Sequence, residues 1–269
     1  VPSSWQASYT ICCDPEATDM RCYRADLHIH SVLSPCGGLE MSPRALVHKL
    51  KEAGIEWFAI TDHNSMANCP AYSAVAKKAG LYFSWGVEIQ TVEEIHLLAY
   101  FDHPQKAQAF DAELYASLLP LLNDADFFGD QVIIDENENI LKVEPRALIN
   151  SSTWDLARAV ERIQDYDGFA VPAHIDAMVN SIISQLGFLP PSPEFKVLGI
   201  TANLELDKYL AENPQLQNKQ FMRASDAHYL SDLGNAYCMM NVVQPTIQEL
   251  ILAADCLDGR FIDSLNKIE

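Results

Sequence analysis

The stretch YRADLHIHSVLSPCGGLEMSPRALVHKLKEAGIEWFAITDHNS, residues 23–65, decides the fold. YRADLHIH (23–30) reads as a strand, because side chains that alternate along an extended chain put residues two apart on one face. MSPRALVHKLKEAG (41–54) reads as a helix, with Ser42 as N-cap, Pro43 in the first turn and Gly54 past the end. WFAIT (57–61) is a strand again. Strand, helix, strand in this order favours parallel pairing. Both strands end in polar groups: Asp26, His28 and His30 on the first, Asp62 and His63 on the second.

The same rhythm continues outward. CPAYSAVAKKAG (69–80) is a helix opened by Pro and closed by Gly. LYFSWGVEI (81–89), EIHLLAYF (94–101), GFAVPAHI (168–175), LGITANLEL (198–206) and KQFMRASD (219–226) are strands, and PTIQELILAADCLDG (245–259) is a helix. So many alternations predict a parallel-sheet α/β architecture closed into a barrel. Residues 104–167 break the rhythm with a helix (106–119), a hairpin around DENEN (135–139) and a second helix (153–166). We read them as an insertion or cap within a single domain spanning 1–269.

The chain has 269 residues, 49% of them hydrophobic, which is enough for one barrel-sized core. No run approaches the roughly 20 apolar residues of a membrane span. The opening VPSSWQASYT carries no basic region followed by an apolar run, so no signal peptide is visible. Seven cysteines without CxxC spacing predict reduced thiols in a cytoplasm, with Cys12 and Cys13 as packing residues. The formal charge is −19, from 37 acidic and 18 basic residues. Such a surface predicts a small anionic substrate in a metal-lined pocket and no long duplex nucleic acid as partner.

Six of the eight histidines (28, 30, 63, 96, 174 and 228) fall on or just after predicted strands. Two imidazoles two apart, as in His28 and His30, reach one cation, and Asp26 on the same face can hold an imidazole in place. Asp62 and His63 sit where parallel α/β folds place their sites, although a capped turn would use the same residues. In GVEIQTVEEIHLLAY (86–100), a reversal near Val92 would set Glu88 opposite His96. A buried carboxylate there needs a cation or a hydrogen-bonded imidazole. His174 ends one further strand; Asp226 and His228 end another. His48, in a basic helix, and His103, in a loop, read as surface groups. Arg24 shares parity with Asp26 and reads as a surface residue sooner than a phosphate contact. Histidines and carboxylates with at most one thiolate suit zinc, manganese or iron. There is no G-x-S-x-G elbow, P-loop or G-x-G-x-x-G.

DLHIHS (26–31), ITDHNS (60–65), GVEI (86–89), IHLLAY (95–100), PAH (172–174) and SDAH (225–228) together resemble the PHP superfamily, named for polymerase and histidinol phosphatase. The opening HSVLSPCG and SIISQLGFLPP (181–191) resemble a bacterial branch of it. The resemblance implies a distorted (β/α)7 barrel holding two or three divalent metal ions and hydrolysing a small phosphate ester by metal-activated hydroxide. It implies one metal on His28, His30, Glu88 and Asp226, and a second, bridged by Glu88, on His96 and His174. A third would take His63 and His228, with Cys36 where relatives carry His or Asp. Asp26 would lie behind the ligands, and Asp62 would handle a proton. Two other readings stay open: an amidohydrolase-like C–N hydrolase on the same scaffold, and a non-catalytic metal-stabilised binding module.

Overall fold

In the computed structural model, which describes residues 20–264, the opening unit forms β1 (Arg21–Asp26), α1 (Pro43–Glu52) and β2 (Trp57–Ile60), with β1 and β2 parallel. Cys12, Cys13 and the opening VPSSWQASYT lie outside the described residues. The chain continues through α2 (Cys69–Ala79), β3 (Tyr82–Gln90), β4 (His96–Phe101), α3 (Pro104–Ser117), α4 (Ala125–Phe128), β5 (Val132–Ile134) and β6 (Ile140–Val143). Then follow α5 (Leu156–Asp165), β7 (Phe169–Pro172), α6 (Ile182–Leu186), β8 (Val197–Ile200), α7 (Leu206–Glu212), β9 (Gln220–Arg223), β10 (Cys238–Val242), α8 (Ile247–Ala254) and β11 (Phe261–Asp263).

The main sheet runs β11-β10-β1-β2-β3-β4-β7, and β8 pairs with β9. Backbone hydrogen bonds join the two: Ile175 N–H to Gly199 O at 2.8 Å beyond β7, and His30 N–H to Ala227 O at 2.9 Å beyond β1. The result is a distorted barrel whose staves are β1, β2, β3, β4, β7, β8 and β9. The sheet is mixed: β4 runs antiparallel to β3, as the reversal expected near Val92 requires, and also to β7. The cause is the tight turn at Thr91–Ile95, where Thr91 N–H bonds Ile95 O and Glu94 takes φ +61°.

Alternation along the strands sorts the apolar side chains. Trp57 and Ala59 of β2 join Leu27, Leu98, Tyr100, Val171 and Met222 in one cluster, which α8 closes with Ile247, Leu250 and Ala253. Phe58 and Ile60 face the other way, into the larger cluster that also takes in Leu46, Val47 and Leu50 of α1 and Val160 and Ile163 of α5. Each such buried side chain contributes about 1.5–3 kcal/mol.

Local expectations differ in three places. Ser42 precedes α1, but its hydroxyl bonds Glu138 Oε1 (2.8 Å) and makes no side-chain cap, because the β5–β6 turn sits against the helix start. The C-terminal helix stops at Ala254, since Cys256 enters the left-handed region at φ +52°. Strands β10 and β11 extend the sheet beyond β1, where no strand was expected. Among the described residues no helix is long and apolar enough to cross a membrane.

Candidate metal centre

The strand ends carry an unusual run of buried polar groups: Asp26, His28, His30, Asp62, His63, Glu88 and His96 are each no more than 8% exposed. Glu88, on β3, lies at the middle. Its Oε1 is 3.2 Å from His28 Nε2, 3.0 Å from His96 Nδ1 and 3.3 Å from His174 Nε2. Its Oε2 is 3.4 Å from His30 Nε2 and 3.1 Å from His63 Nδ1. Asp226, just past β9 at φ +52°, brings Oδ1 to 3.2 Å from His28 Nε2 and 3.1 Å from His30 Nε2.

The register that makes this cluster differs from expectation. The hairpin pairs Gln90 with His96 and Glu88 with Leu98, so Glu88 is diagonal to His96 and not opposite it. The turn centres on Glu93, one residue later than Val92. One residue at the turn shifts the pairing by two, and a shift of two keeps both side chains on one face.

His228 and Cys36 complete one side. Cys36 Sγ is 3.3 Å from His63 Nε2, and Gly38 N–H of the same loop bonds His228 O at 2.8 Å. Burial works against charge at both Cys36 and His228. Contacts with His228 and His63 nonetheless bring the Cys36 thiol down to about 6, and Cys36 and Asp226 bring His228 up to about 9. Burial would raise Glu88, but the surrounding imidazoles hold it well below the carboxylate range. Burial and the His228 charge push His30 down to about 3, so its imidazole is neutral and able to act as a ligand.

Asp62 and Asp26 sit apart from the open side. Asp62 accepts from Ser31 N–H (2.7 Å), Ser31 Oγ (2.5 Å) and Ser34 Oγ (2.7 Å), and is fully buried. Both oxygens accept hydrogen bonds from the loop of Ser31 and Ser34, which sets Asp62 behind the ligands. The Ser34 hydroxyl donates its single proton to Asp62, and therefore accepts from His30 Nδ1 at 2.9 Å. That fixes the His30 tautomer and turns the Nε2 lone pair toward Glu88 and Asp226. Asp26 accepts from Ser225 N–H at 3.1 Å, and burial raises its carboxyl to about 7. Ser31 and Ser34 carry no signal in sequence, because serines in a turn-rich loop are ordinary.

His48 pairs with Glu52 on the surface, His103 precedes α3, and Arg24 lies over Tyr237. None of the three joins the cluster.

The donors fit divalent cations. Glu88 Oε1 has three imidazole nitrogens within 3.3 Å yet no properly directed hydrogen bond, and His63 Nδ1 is likewise orphaned. Distances are right and directions are wrong for hydrogen bonds. Neighbouring ligands on a tetrahedral ion with bonds of 2.0–2.2 Å are separated by about 3.4 Å, close to the 3.1–3.4 Å found among His28, His30, Glu88 and Asp226. Among the described residues, three groups have donor atoms all within 4.8 Å of one another: His28, His30 and Asp226; His30, His63 and His228; and His63, Glu88 and His96.

Comparison with known proteins agrees with the geometry. Two curated relatives are a 5′-3′ exoribonuclease, Rnm, of Salmonella typhimurium, 41% identical over 73 residues, and a 5′-3′ exoribonuclease of Haemophilus influenzae, 37% identical over 86 residues. These matches cover 26% and 30% of this chain but only 24% and 30% of the relatives' lengths. The lesion-specific endonuclease Q of Pyrococcus furiosus superposes with a TM-score of 0.68 at 17% identity, over 90% of this chain and 58% of that one. An endonuclease Q structure holds a 27-mer duplex substrate with an abasic lesion at its active site.

These findings overturn the expectation of a small phosphorylated partner and no long duplex. That expectation rested on a net charge of −19. Net charge sums over the whole surface, whereas a polyanion meets the local field of a site, which bound cations can invert. Residues 26–177, more than half of the chain, match the PHP domain family, and the chain belongs to that family.

Proposed function

We propose that this chain is a metal-dependent hydrolase that cleaves phosphodiester bonds in a nucleic acid strand. The observation that carries the reading is Glu88, a buried carboxylate ringed by five imidazole nitrogens within 3.4 Å. Two curated relatives, matched over 73 and 86 residues, are exoribonucleases, which supports a polynucleotide as substrate class.

Divalent cations at such a cluster acidify water at neutral pH and neutralise charge on phosphate oxygens. His28, His30, Glu88 and Asp226 would hold one ion, and Glu88, His96 and His174 a second. His63, His228 and Cys36 would hold a third, with zinc, manganese and iron as the candidate metals. His63 also touches Glu88, so the sets share a ligand shell. Glu88 fixes the spacing of the imidazoles around it. Asp62 acts through Ser34, keeping the proton on His30 Nδ1, and is a positioning residue. His228 Nδ1 donates to Asp226 O at 2.7 Å, which leaves its Nε2 free on the Cys36 side. Substrate enters past Asp226 and His228, whose side chains are 38% and 24% exposed where their neighbours are sealed.

Residues 104–167 serve as a cap within one domain. Asn64, next to His63, donates to Leu148 O and Asn150 O (2.8 Å each), and Gly129 packs against Pro35 O beside Cys36. A cytoplasmic setting is supported by five described cysteines, all free.

The test is to load the protein with manganese or zinc and offer RNA strands, DNA strands, a duplex and a phosphomonoester. Shortened strands are expected. Monoester turnover with every polynucleotide left intact would overturn the proposal.

A further inference from the structure

Helices α1 and α2 are basic in a chain that is strongly acidic. They carry Arg44, Lys49, Lys51, Lys77 and Lys78 against one acidic residue, Glu52, while the whole chain has 18 basic and 37 acidic residues. Between them runs a groove of about 420 Å³ lined by Arg44, Val47, His48, Lys51, Val75, Lys78, Ala79 and Glu136. Arg44, Lys51 and Lys78 outnumber Glu136, and the floor is aliphatic.

None of the groove's lining residues belongs to the metal cluster, but the chain connects the two. The loop that carries Cys36 and Gly38, both in contact with the cluster's histidines, runs directly into α1. Arg44 lies in the first turn of that helix, and His48 and Lys51 follow at four and seven residues, on the same face. At 1.5 Å per residue this stripe is about 10 Å long. The partners of these groups are modest. Arg44 donates to Asn137 Oδ1 at 3.4 Å, Lys51 to Ala79 O at 3.1 Å, and His48 faces Glu52 at 3.3 Å. No carboxylate is within ion-pair distance of Arg44, Lys51 or Lys78 among the described residues.

We propose that the α1–α2 groove is a track for the sugar–phosphate backbone of a single nucleic acid strand, holding the part of the substrate that lies beyond the scissile bond. The proposal rests on the nuclease reading above and adds a second binding region to it. Cationic grooves bind single strands through their phosphates, with strong salt dependence and without base readout. Val47 and Val75 leave the groove without an aromatic platform, so binding there is indifferent to sequence.

The test compares the metal-loaded protein with an Arg44→Glu/Lys51→Glu/Lys78→Glu variant, with Lys106→Glu on α3 as the control. Substrates are an RNA strand of about 20 nucleotides, longer than a single-strand site of roughly 4–16 nucleotides, and a dinucleotide. The proposal expects KM for the long strand to rise at least tenfold, with the dinucleotide and the control unaffected. The slope of log Kd against log salt should fall by about 2, at roughly 0.7 for each phosphate that is no longer neutralised. Unchanged KM on the long strand, equal losses on both substrates, or competition by polyglutamate as effective as by RNA would overturn it. Lys51→Gln, which keeps the helix, guards against a folding artefact. Direct binding of labelled RNA to a Glu88→Gln protein separates the two readings. Binding that depends on Lys51 without cleavage by the wild type would sink the nuclease and leave the groove standing.

Discussion

Asp62, Ser34 and His30 show how a buried carboxylate can orient an imidazole through a hydroxyl. The chain of hydrogen bonds from Asp62 through Ser34 to His30 Nδ1 sets which imidazole nitrogen faces the cluster. Groups that orient metal ligands in this way are worth roughly 10–100-fold in metal affinity. Asp62→Asn and Ser34→Ala should each weaken metal binding by about that factor in calorimetric titration, while Lys106→Glu leaves it unchanged. Asp26 offers a second residue-scale test. Burial raises its folded value to about 7, above the usual carboxylate value of 3.8. Between those two values the unfolded chain ionises and the folded one does not, so Asp26 makes the fold lose stability as pH rises from about 4 to about 7. The loss levels off above that range. Asp26→Asn removes this slope, by on the order of 4 kcal/mol across the window. Denaturant melts of both proteins at several pH values read it directly, and parallel pH profiles would contradict the assignment.

At the scale of elements, the barrel was legible because most staves announce themselves. YRADLHIH and WFAIT flank a helix with Pro at its start, and five strand-like runs carry the six histidines of the cluster at their ends, five of them in contact with Glu88. What escaped were features set by partners distant in sequence. β10 is a short run whose strand character comes from pairing antiparallel to β1 more than 200 residues away. The reversal into β4 was legible, but its register depends on a turn whose centre the sequence left one residue loose. The role of Asp62 depends on two serines that only the fold brings within 2.7 Å. Gly129 illustrates the same point and gives a prediction. It has φ +99°, and a Cβ there would fall 2.2 Å from Pro35 O, so the segment after α4 rests on the loop that carries Cys36. Gly129→Ala should lift that segment and increase protease cleavage within residues 119–131, with a stability cost of about 1–3 kcal/mol. Unaltered proteolysis would show that this packing does not hold the cap.

For the whole molecule, cations held by the cluster would supply stability as well as chemistry. Without cations, six histidines and two carboxylates crowd the mouth of the barrel, with Glu88 Oε1 and His63 Nδ1 unsatisfied. An ion that binds only the folded chain stabilises it by about 4 kcal/mol at a thousandfold excess over Kd. For a domain of this size that corresponds to a rise in Tm of about 10 °C. Chelation followed by calorimetry should reveal that drop, and re-addition of manganese or zinc should reverse it. A Tm indifferent to chelator would mean that the cluster is satisfied without metal. The whole-molecule charge teaches a different lesson: a net −19 says little about a partner met at one cleft, since α1 and α2 are basic and the cluster has the donors to hold cations. The most direct measurement of the central claim is single-turnover cleavage of an end-labelled RNA strand by manganese-loaded wild type and Glu88→Gln, with metal content determined for both. The account predicts shortened strands from the wild type and a loss of roughly 100- to 1000-fold in the variant. Intact RNA with metals bound to the wild type, or undiminished cleavage by Glu88→Gln, would contradict it.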